Sequence, residues 1–227
     1  MKFVTLKQIG KILLFGSVLF FLNTKDSICP TPNIILIESA KPIIRYSKKV
    51  IILDPGHGMG NRIPGLMDWG KTYLDYREAE IVLEKAKEIR NMLDKRKYDV
   101  FLTREDNTTP CPIESRPKLA NEKNADLFLS IHVNNFKNLS NINGSEIYWR
   151  YKKDKELAKL AAKNLYEVAF IHNRYVVQEE YLMLKDVKCP AALLEVGYLL
   201  NKEDRGKILN EKGVEKAIAK TIEDYLK

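Results

Sequence analysis

Short apolar runs of strand length alternate with amphipathic helical patterns along most of the chain. The runs that predict strands cover residues 50–54, 99–103, 127–132, 146–149, 181–184 and 191–196. Helices are predicted where apolar residues recur at steps of three and four, over residues 78–95, 153–168 and 214–226. This alternation predicts an α/β fold, a single domain with a mostly parallel sheet of about six strands flanked by helices.

The first thirty residues carry a different pattern. Lys2, Lys7 and Lys11 precede residues 12–22, which contain no charge. A basic start followed by an apolar run of this length is typical of a secretory signal, and it is short for a spanning helix, which needs about 20 residues. We therefore expect a signal peptide or N-terminal membrane anchor over residues 1–30, a linker over 31–48 and one folded domain over 49–227. The protein is predicted to be exported, either secreted or tethered to the membrane.

The distribution of charge argues against a nucleic-acid partner. The net charge is +8, but residues 1–49 contain eight Lys or Arg and two acidic residues. The remaining 30 basic and 28 acidic residues leave the folded part nearly neutral. Nucleic-acid binding needs a basic face on the folded domain. The composition thus favours a partner other than nucleic acid.

The three cysteines leave two interpretations open. In an exported protein Cys111 and Cys189 could form a disulfide, with Cys29 left in the N-terminal extension. Two separate buried thiols are the alternative. None of the three cysteines belongs to a Cys-x-x-Cys pair, which excludes a zinc site built on sulfur ligands.

Two of the three histidines follow predicted strands and are candidates for metal ligands. His57 lies in a Gly-flanked turn after the first strand, and His132 ends the third. Active-site residues gather at the carboxyl ends of strands in α/β sheets, and neutral imidazole is the commonest metal ligand. A catalytic zinc ion needs a third protein ligand, for which Glu78 is the candidate. The alternatives are hydrogen-bonded boundary histidines and a helix cap in which Asp75 is the N-cap and Glu78 the N3 residue.

Glu195 is the candidate for acid and base chemistry. It is the only charged residue between Cys189 and Leu200, within a predicted apolar strand. Burial raises the pKa of a carboxyl group toward the range where it can both take and return a proton. A structural glutamate paired with Arg116 or Lys185 is the alternative. The third histidine, His172, is predicted to be a solvated loop residue.

Six motifs, in order, resemble the zinc-dependent N-acetylmuramoyl-L-alanine amidases that cleave bacterial peptidoglycan. They are Ile-Leu-Asp-Pro-Gly-His-Gly at 52–58, Glu-Ala-Glu-Ile-Val-Leu at 78–83, Leu-Thr-Arg-Glu-Asp at 102–106, Arg116 with Ala120-Asn121, Ala-Asp-Leu-Phe-Leu-Ser-Ile-His-Val-Asn at 125–134 and Pro-Ala-Ala-Leu-Leu-Glu-Val-Gly-Tyr-Leu-Leu-Asn at 190–201. The resemblance covers roughly residues 49–227, the expected catalytic domain. It implies that one Zn²⁺ ion is held by His57, Glu78 and His132 and that Glu195 is the catalytic acid and base. It also reverses the capping interpretation of Glu78.

Within that family the chain is most similar to the germination-specific amidases of the spore cortex. It combines an N-terminal hydrophobic segment with a bare catalytic domain and has Tyr181-Leu182-Met183 before the last motif. The resemblance implies removal of the stem peptide from muramic acid, so that a deacetylase can form muramic-δ-lactam, and a location between the forespore membranes.

Two loops depart from the usual family sequence, residues 59–64 after His57 and residues 74–77 before Glu78. Both flank proposed zinc ligands, and they motivate the hypothesis that a partner protein supports the zinc site. Two other functions remain open at this point. One is a zinc peptidase that cuts within the stem peptide, and the other is a non-catalytic wall-binding scaffold on an amidase fold.

Overall fold

The computed structural model of the protein describes residues 47–136 and 139–227. The strands are β1 (Lys49–Pro55), β2 (Gly58–Met59), β3 (Met67–Asp68), β4 (Thr72–Tyr73), β5 (Tyr76–Arg77), β6 (Tyr98–Leu102), β7 (Leu127–Asn134), β8 (Ser145–Trp149), β9 (Asn173–Gln178) and β10 (Ala191–Tyr198). The α-helices are α1 (Glu78–Met92), α2 (Ser115–Glu122), α3 (Lys155–Ala169), α4 (Lys202–Asn210) and α5 (Gly213–Tyr225). Two short 3₁₀ helices cover Lys152–Asp154 and Leu182–Leu184. The predicted export segment and most of the linker lie outside the described residues.

Six strands form the main sheet, in the order β6-β1-β7-β10-β8-β9. Strands β6, β1, β7 and β10 are parallel to one another, and β8 runs antiparallel to β10. This architecture confirms the predicted α/β fold with a mostly parallel six-stranded sheet. The carboxyl ends of β1, β7 and β10 meet along one edge, which is where ligands bind in such sheets. We call this the C-terminal edge of the sheet.

The two faces of the sheet are covered unequally. Leu53, Leu129 and Leu194 pack in the larger core, which contains α1, α3 and α5. The alternate residues Ile52, Phe128 and Leu193 pack in a smaller core beside α2 and the 3₁₀ helix Leu182–Leu184. Side chains alternate between the faces of a strand, so His132 and Glu195 share the face of the smaller core. These two candidate site residues therefore lie on the more thinly covered face, at the C-terminal edge.

Two short segments differ from the sequence prediction. Residues 181–184, predicted as a strand, contain the 3₁₀ helix Leu182–Leu184, because Met183 and Leu184 pack against the sheet from outside it. Strand β9 was not predicted, since it is an edge strand without a fully buried residue. A strand that lacks a buried face gives no alternation of apolar and polar residues to detect.

Two helices were also absent from the prediction. Helix α2 is short and weakly amphipathic, and Pro117 occupies its first turn, where proline is tolerated. Helix α4 is mostly polar and begins with a side-chain cap: Asn201 accepts hydrogen bonds from the backbone N–H groups of Glu203 and Asp204. Capping rather than an apolar face defines this helix. A prediction based on the periodicity of apolar residues therefore misses both helices.

The described residues also decide between the two interpretations of the cysteines. Cys111 and Cys189 are separate buried thiols, with Cys111 Sγ 3.3 Å from the carbonyl oxygen of Thr103. The alternative of a disulfide between them is therefore wrong. Within residues 47–136 and 139–227, no helix has both the length and the apolar character needed to cross a membrane.

A buried ion pair joins helices α1 and α5, and its loss should destabilise the domain. Lys85 Nζ lies 2.6 Å from Glu215 Oε1, and both side chains are almost fully buried. Lys85→Met would leave the Glu215 carboxylate buried without its partner, which costs about 3–5 kcal/mol of unfolding free energy. The double variant Lys85→Met/Glu215→Leu should recover most of that loss. Urea denaturation measures both values, with Lys87→Met on the same helix as the control. Unfolding of Lys85→Met at the urea concentration of that control would contradict the prediction.

Candidate metal centre and active site

The site begins with a turn that leaves the sheet after β1. Pro55 ends the strand, and His57 adopts a left-handed backbone conformation with φ of 62°. Gly56 lies directly against the ring of His132, because a methyl group at this position would come within 2.2 Å of His132 Cε1. The two imidazole rings meet edge to face, with their centres 4.9 Å apart. Close approach at Gly56 therefore brings the two predicted histidines together.

Two buried arginines bind the carbonyl groups of this turn. Arg104 donates from Nε to the carbonyl of Pro55 at 2.9 Å and from Nη2 to that of Gly56 at 2.7 Å. Arg116 donates from Nη2 to the carbonyl of His57 at 2.6 Å and from Nη1 to that of Pro55 at 3.0 Å. Three successive carbonyls thus have charged donors. The turn is fixed by hydrogen bonds that sequence reasoning did not assign.

Asp54 balances the charge of Arg116. Its carboxylate accepts hydrogen bonds from Arg116 Nη1, Thr103 Oγ1 and Ser130 Oγ, each at 2.6 Å. Burial alone would raise the pKa of Asp54, but the Arg116 charge and the two hydroxyl donors lower it below its usual value. Arg116 is therefore committed to Asp54. Its predicted alternative role, as a partner of Glu195, is wrong.

Glu78 is the first residue of α1 and binds both histidines. Its Oε1 lies 3.0 Å from His132 Nδ1, and its Oε2 lies 3.0 Å from His57 Nε2. Backbone N–H groups of Val133 and Lys71 donate to the same carboxylate, at 3.0 and 2.7 Å. Burial raises the pKa of Glu78, but the hydrogen bonds from the two histidines outweigh it and lower the pKa.

Arg77 rather than Asp75 is the N-cap residue of this helix, and its side chain makes no capping hydrogen bond. The capping interpretation of Glu78 is therefore wrong. The carboxylate faces the histidines instead of the helix end.

Asp68 orients the imidazole of His57. Its Oδ2 lies 3.0 Å from His57 Nδ1 and also accepts a hydrogen bond from Asn61 Nδ2 at 2.7 Å. Histidines that bind metals commonly donate their second ring N–H to a carboxylate in this way. Burial lowers the pKa of His57, but the hydrogen bonds to Asp68 and Glu78 outweigh it and raise the pKa to about 9. Asp68 belongs to the hairpin formed by β2 and β3, and its contact with His57 was not predicted from the sequence.

The cluster fits a zinc ion. Among the described residues, His57, Glu78 and His132 form a group whose potential ligand atoms all lie within 4.8 Å of one another. Two imidazoles and one carboxylate are a donor set of catalytic zinc sites. The buried Nε2 atom of His132 has no hydrogen-bond partner within residues 47–136 and 139–227, and an orphaned buried polar atom is commonly explained by a bound ion or water. These three residues could hold the metal.

Glu195 lies beside the cluster on β10. Its Cα pairs with that of His132 on β7 and with that of Glu146 on β8. The residue is half-buried, and its enclosed Oε2 atom has no hydrogen-bond partner in the described part of the chain. Burial and the charge of Glu78 raise the pKa of Glu195 well above its usual value. The carboxyl group therefore has the free atom and the raised pKa that proton transfer requires.

Glu146 is a buried polar centre that the sequence analysis did not single out. It accepts hydrogen bonds from Tyr148 at 2.7 Å, from Arg174 Nε at 2.9 Å, from Asn134 Nδ2 at 3.1 Å and from Tyr198. Glu146 could have been found in the same way as Glu195, as a charged residue within an apolar strand. His172, by contrast, is exposed, as predicted.

Comparison with known proteins assigns the chain to a family. The model of the Amidase_3 family, N-acetylmuramoyl-L-alanine amidase, matches residues 51–227. The chain belongs to this family. A probable cell wall amidase, LytH, from Staphylococcus saprophyticus is 32% identical over 190 residues, which cover 82% of this chain and 60% of that protein. LytH from Staphylococcus aureus is 33% identical and covers 78% of this chain. The chain spans about three fifths of the length of these relatives.

Solved structures share the fold of this amidase domain. The catalytic domain of CwlV, an N-acetylmuramoyl-L-alanine amidase from Bacillus (Paenibacillus) polymyxa var. colistinus, is 29% identical with a TM-score of 0.70, and the match covers 78% of this chain and 98% of that one. CwlD amidase from Clostridioides difficile, solved in complex with the GerS lipoprotein, is 27% identical with a TM-score of 0.68. That match covers 79% of this chain and 98% of that one.

Replacing Gly70 by alanine should block the candidate metal centre. A methyl group at Gly70 would lie 2.5 Å from both Glu78 Oε2 and His57 Cδ2. Gly65 has a similar left-handed φ, 75° against 68°, but no atom within 4 Å of an added methyl group. Gly70→Ala and Gly65→Ala should therefore share a backbone strain of about 1–2 kcal/mol. Zinc titration against a competing chelator should show at least a tenfold loss of affinity in Gly70→Ala alone. Equal zinc affinity of the two variants would contradict the fit.

Proposed function

We propose that this chain is a zinc-dependent amidase that hydrolyses the bond between N-acetylmuramate and the L-alanine of the peptidoglycan stem peptide. The observation that carries the proposal is the cluster of His57, Glu78 and His132 beside Glu195, a carboxyl group with a raised pKa and an oxygen that has no partner among the described residues. Membership of the Amidase_3 family supports the bond and the substrate. The names of the LytH relatives support action on the cell wall.

In this proposal His57, Glu78 and His132 hold the metal. Zinc bound there would lower the pKa of a coordinated water toward about 7 and polarise the scissile carbonyl. The protein keeps the three side chains in position: Asp68 binds the far nitrogen of His57, and backbone N–H groups bind the Glu78 carboxylate. Ligands held in this way lose little freedom when the substrate arrives.

Glu195 moves the proton. Its carboxylate takes a proton from the water that attacks the lactyl carbonyl of N-acetylmuramate. The C–N bond then breaks, and Glu195 returns the proton to the L-alanine nitrogen, which leaves as an amine. The products are a free lactyl carboxyl group on the sugar and a peptide with an L-alanine amino terminus. The raised pKa of Glu195 suits both halves of this transfer.

Location and partner are parts of the same proposal. The substrate lies outside the cytoplasmic membrane, so residues 1–30 would export or tether the enzyme. The likeness to CwlD, solved with the GerS lipoprotein, is in keeping with the hypothesis of a protein partner that supports the zinc site. A role in spore-cortex maturation rests on the sequence resemblance and stays a prediction.

Glu195→Gln should abolish catalysis while keeping the fold and the zinc. Glutamine matches the shape of the side chain but cannot accept a proton, so kcat should fall by at least about 100-fold. Release of L-alanine amino termini from purified peptidoglycan measures the activity, and metal analysis measures the zinc content. Glu180→Gln, on an exposed side chain, is the matched control. Activity of Glu195→Gln at the level of this control would refute the assignment of the acid and base.

The identity of the products tests the function itself. Purified cortex and vegetative peptidoglycan should each be digested with zinc-free and zinc-reconstituted protein, and the products identified by mass spectrometry. We expect zinc-dependent release of intact stem peptides and of glycan carrying muramic acid without peptide. Fragments cut within the stem peptide would establish the peptidase alternative, and the absence of any product with zinc present would favour the scaffold. Faster digestion of cortex than of vegetative wall would support the narrower role.

A further inference from the structure

We infer that Arg174 binds a carboxylate on the residue that follows L-alanine in the stem peptide, and so makes the enzyme selective for substrates in which that carboxylate is free. This inference rests on the proposed amidase function. It also gives the substrate a direction, because it sets the peptide across β8 and β9 and the sugar on the side of the β2–β3 hairpin.

The first support is the position of Arg174 relative to the reacting carboxyl group. Glu195 on β10 is paired in register with Glu146 on β8, so the two side chains share one face of the sheet. Arg174 on β9 reaches back over that face and binds Glu146 at 2.9 Å. Strands in a sheet are about 4.8 Å apart, which puts the backbone of β9 about 10 Å from that of β10. Two residues of extended peptide span about 7 Å, and the arginine side chain covers the remainder.

The second support is the way in which the guanidinium group is held. Arg174 uses Nε to bind Glu146 Oε1, so the fork formed by Nη1 and Nη2 is not used on this carboxylate. The guanidinium carbon lies 5.7 Å from the ring centres of both Tyr175 and Tyr198. One hydrogen bond and two neighbouring aromatic rings therefore surround the group, while 30% of the side chain stays exposed to solvent. A planar fork that is held rigid and open is the preferred receptor for a carboxylate.

The third support is the chemistry of the substrate. The sugar next to the scissile bond carries neutral N-acetyl and hydroxyl groups, whereas the stem peptide carries free carboxyl groups. Away from the proposed zinc ion the surroundings are acidic, since the charges of Glu78 and Glu146 both act on Glu195 and raise its pKa. A free carboxylate would be repelled there unless a cation received it. Arg174 is a cation that binds one of these acidic residues, Glu146. Lys71, on the exposed loop before α1, is the competing candidate on the side assigned to the sugar.

The test compares two soluble substrates with the full-length protein reconstituted with zinc. Both are N-acetylmuramoyl-L-alanyl peptides, identical except that the residue after L-alanine carries a free carboxylate or its amide. We expect kcat/KM to favour the free acid by about tenfold, mostly through KM, because one charge-assisted hydrogen-bond pair is lost with the amide. Arg174→Gln should bring the ratio close to one, and Arg174→Lys should keep part of it, because it retains the charge without the fork.

The ratio of kcat/KM for the free acid to kcat/KM for the amide separates recognition by Arg174 from structural support. If Arg174 served only to neutralise Glu146, Arg174→Gln would slow both substrates equally and leave the ratio unchanged, which would overturn the inference. Arg90→Gln is the matched control, since Arg90 is 31% exposed, also binds a glutamate and lies near β6, the opposite edge of the sheet. Loss of the ratio in Lys71→Gln but not in Arg174→Gln would reverse the direction of the peptide. Cleavage of both substrates at equal rates by the unmodified protein would refute this inference alone, and cleavage of neither would refute the amidase function with it.

Discussion

The geometry of the site depends on two buried guanidinium groups that bind the turn after β1. The carbonyls of Pro55, Gly56 and His57 leave the sheet in a region without strand partners, and buried carbonyls without donors are strongly disfavoured. Arg104 and Arg116 supply those donors. Burial and the neighbouring Arg116 charge lower the pKa of Arg104 to about 10, so it remains a cation at neutral pH. Arg116 binds the carbonyl of His57 itself, which helps to hold that residue in its left-handed conformation.

The remaining parts of the centre are joined through Glu78. Its carboxylate binds backbone N–H groups from the loop before α1 and from β7, and it contacts the imidazoles of His57 and His132. One side chain at a helix start thus connects the hairpin loops to the sheet. A displacement of α1 would therefore disturb the contacts of Glu78 with both histidines at once. Under the proposed function, such a site would be organised before the metal and the substrate bind.

The sequence predicts the parts of this site that lie on buried strands and in ordered motifs. His57, His132 and Glu195 follow or interrupt apolar runs that form β1, β7 and β10, and such runs are the strongest signal that a single sequence carries. Arg116 was placed in a motif, but its partner Asp54 was not predicted, because its helix has little amphipathic pattern and its direction was therefore unknown. Asp68 was not found at all. Its position depends on a hairpin with strands of two residues each, which leave no periodicity to read.

The two glutamates opposite each other on β8 and β10 illustrate how environment separates identical side chains. Burial raises the pKa of each group, but Glu146 accepts hydrogen bonds from Tyr198, Tyr148 and Arg174, which lower its pKa below the usual value. Within the part of the chain that the structure describes, Glu195 has no such donors at its enclosed oxygen, and burial, the charge of Glu78 and then the charge of Glu146 raise its pKa. The ionised glutamate therefore helps to keep its neighbour able to hold a proton. Pairs of groups whose surroundings drive their pKa values apart are the usual basis for dividing charge stabilisation from proton transfer in enzymes. Under the proposed function, Glu195 would move the proton while Glu146 stays ionised, because the hydrogen-bond donors surround Glu146.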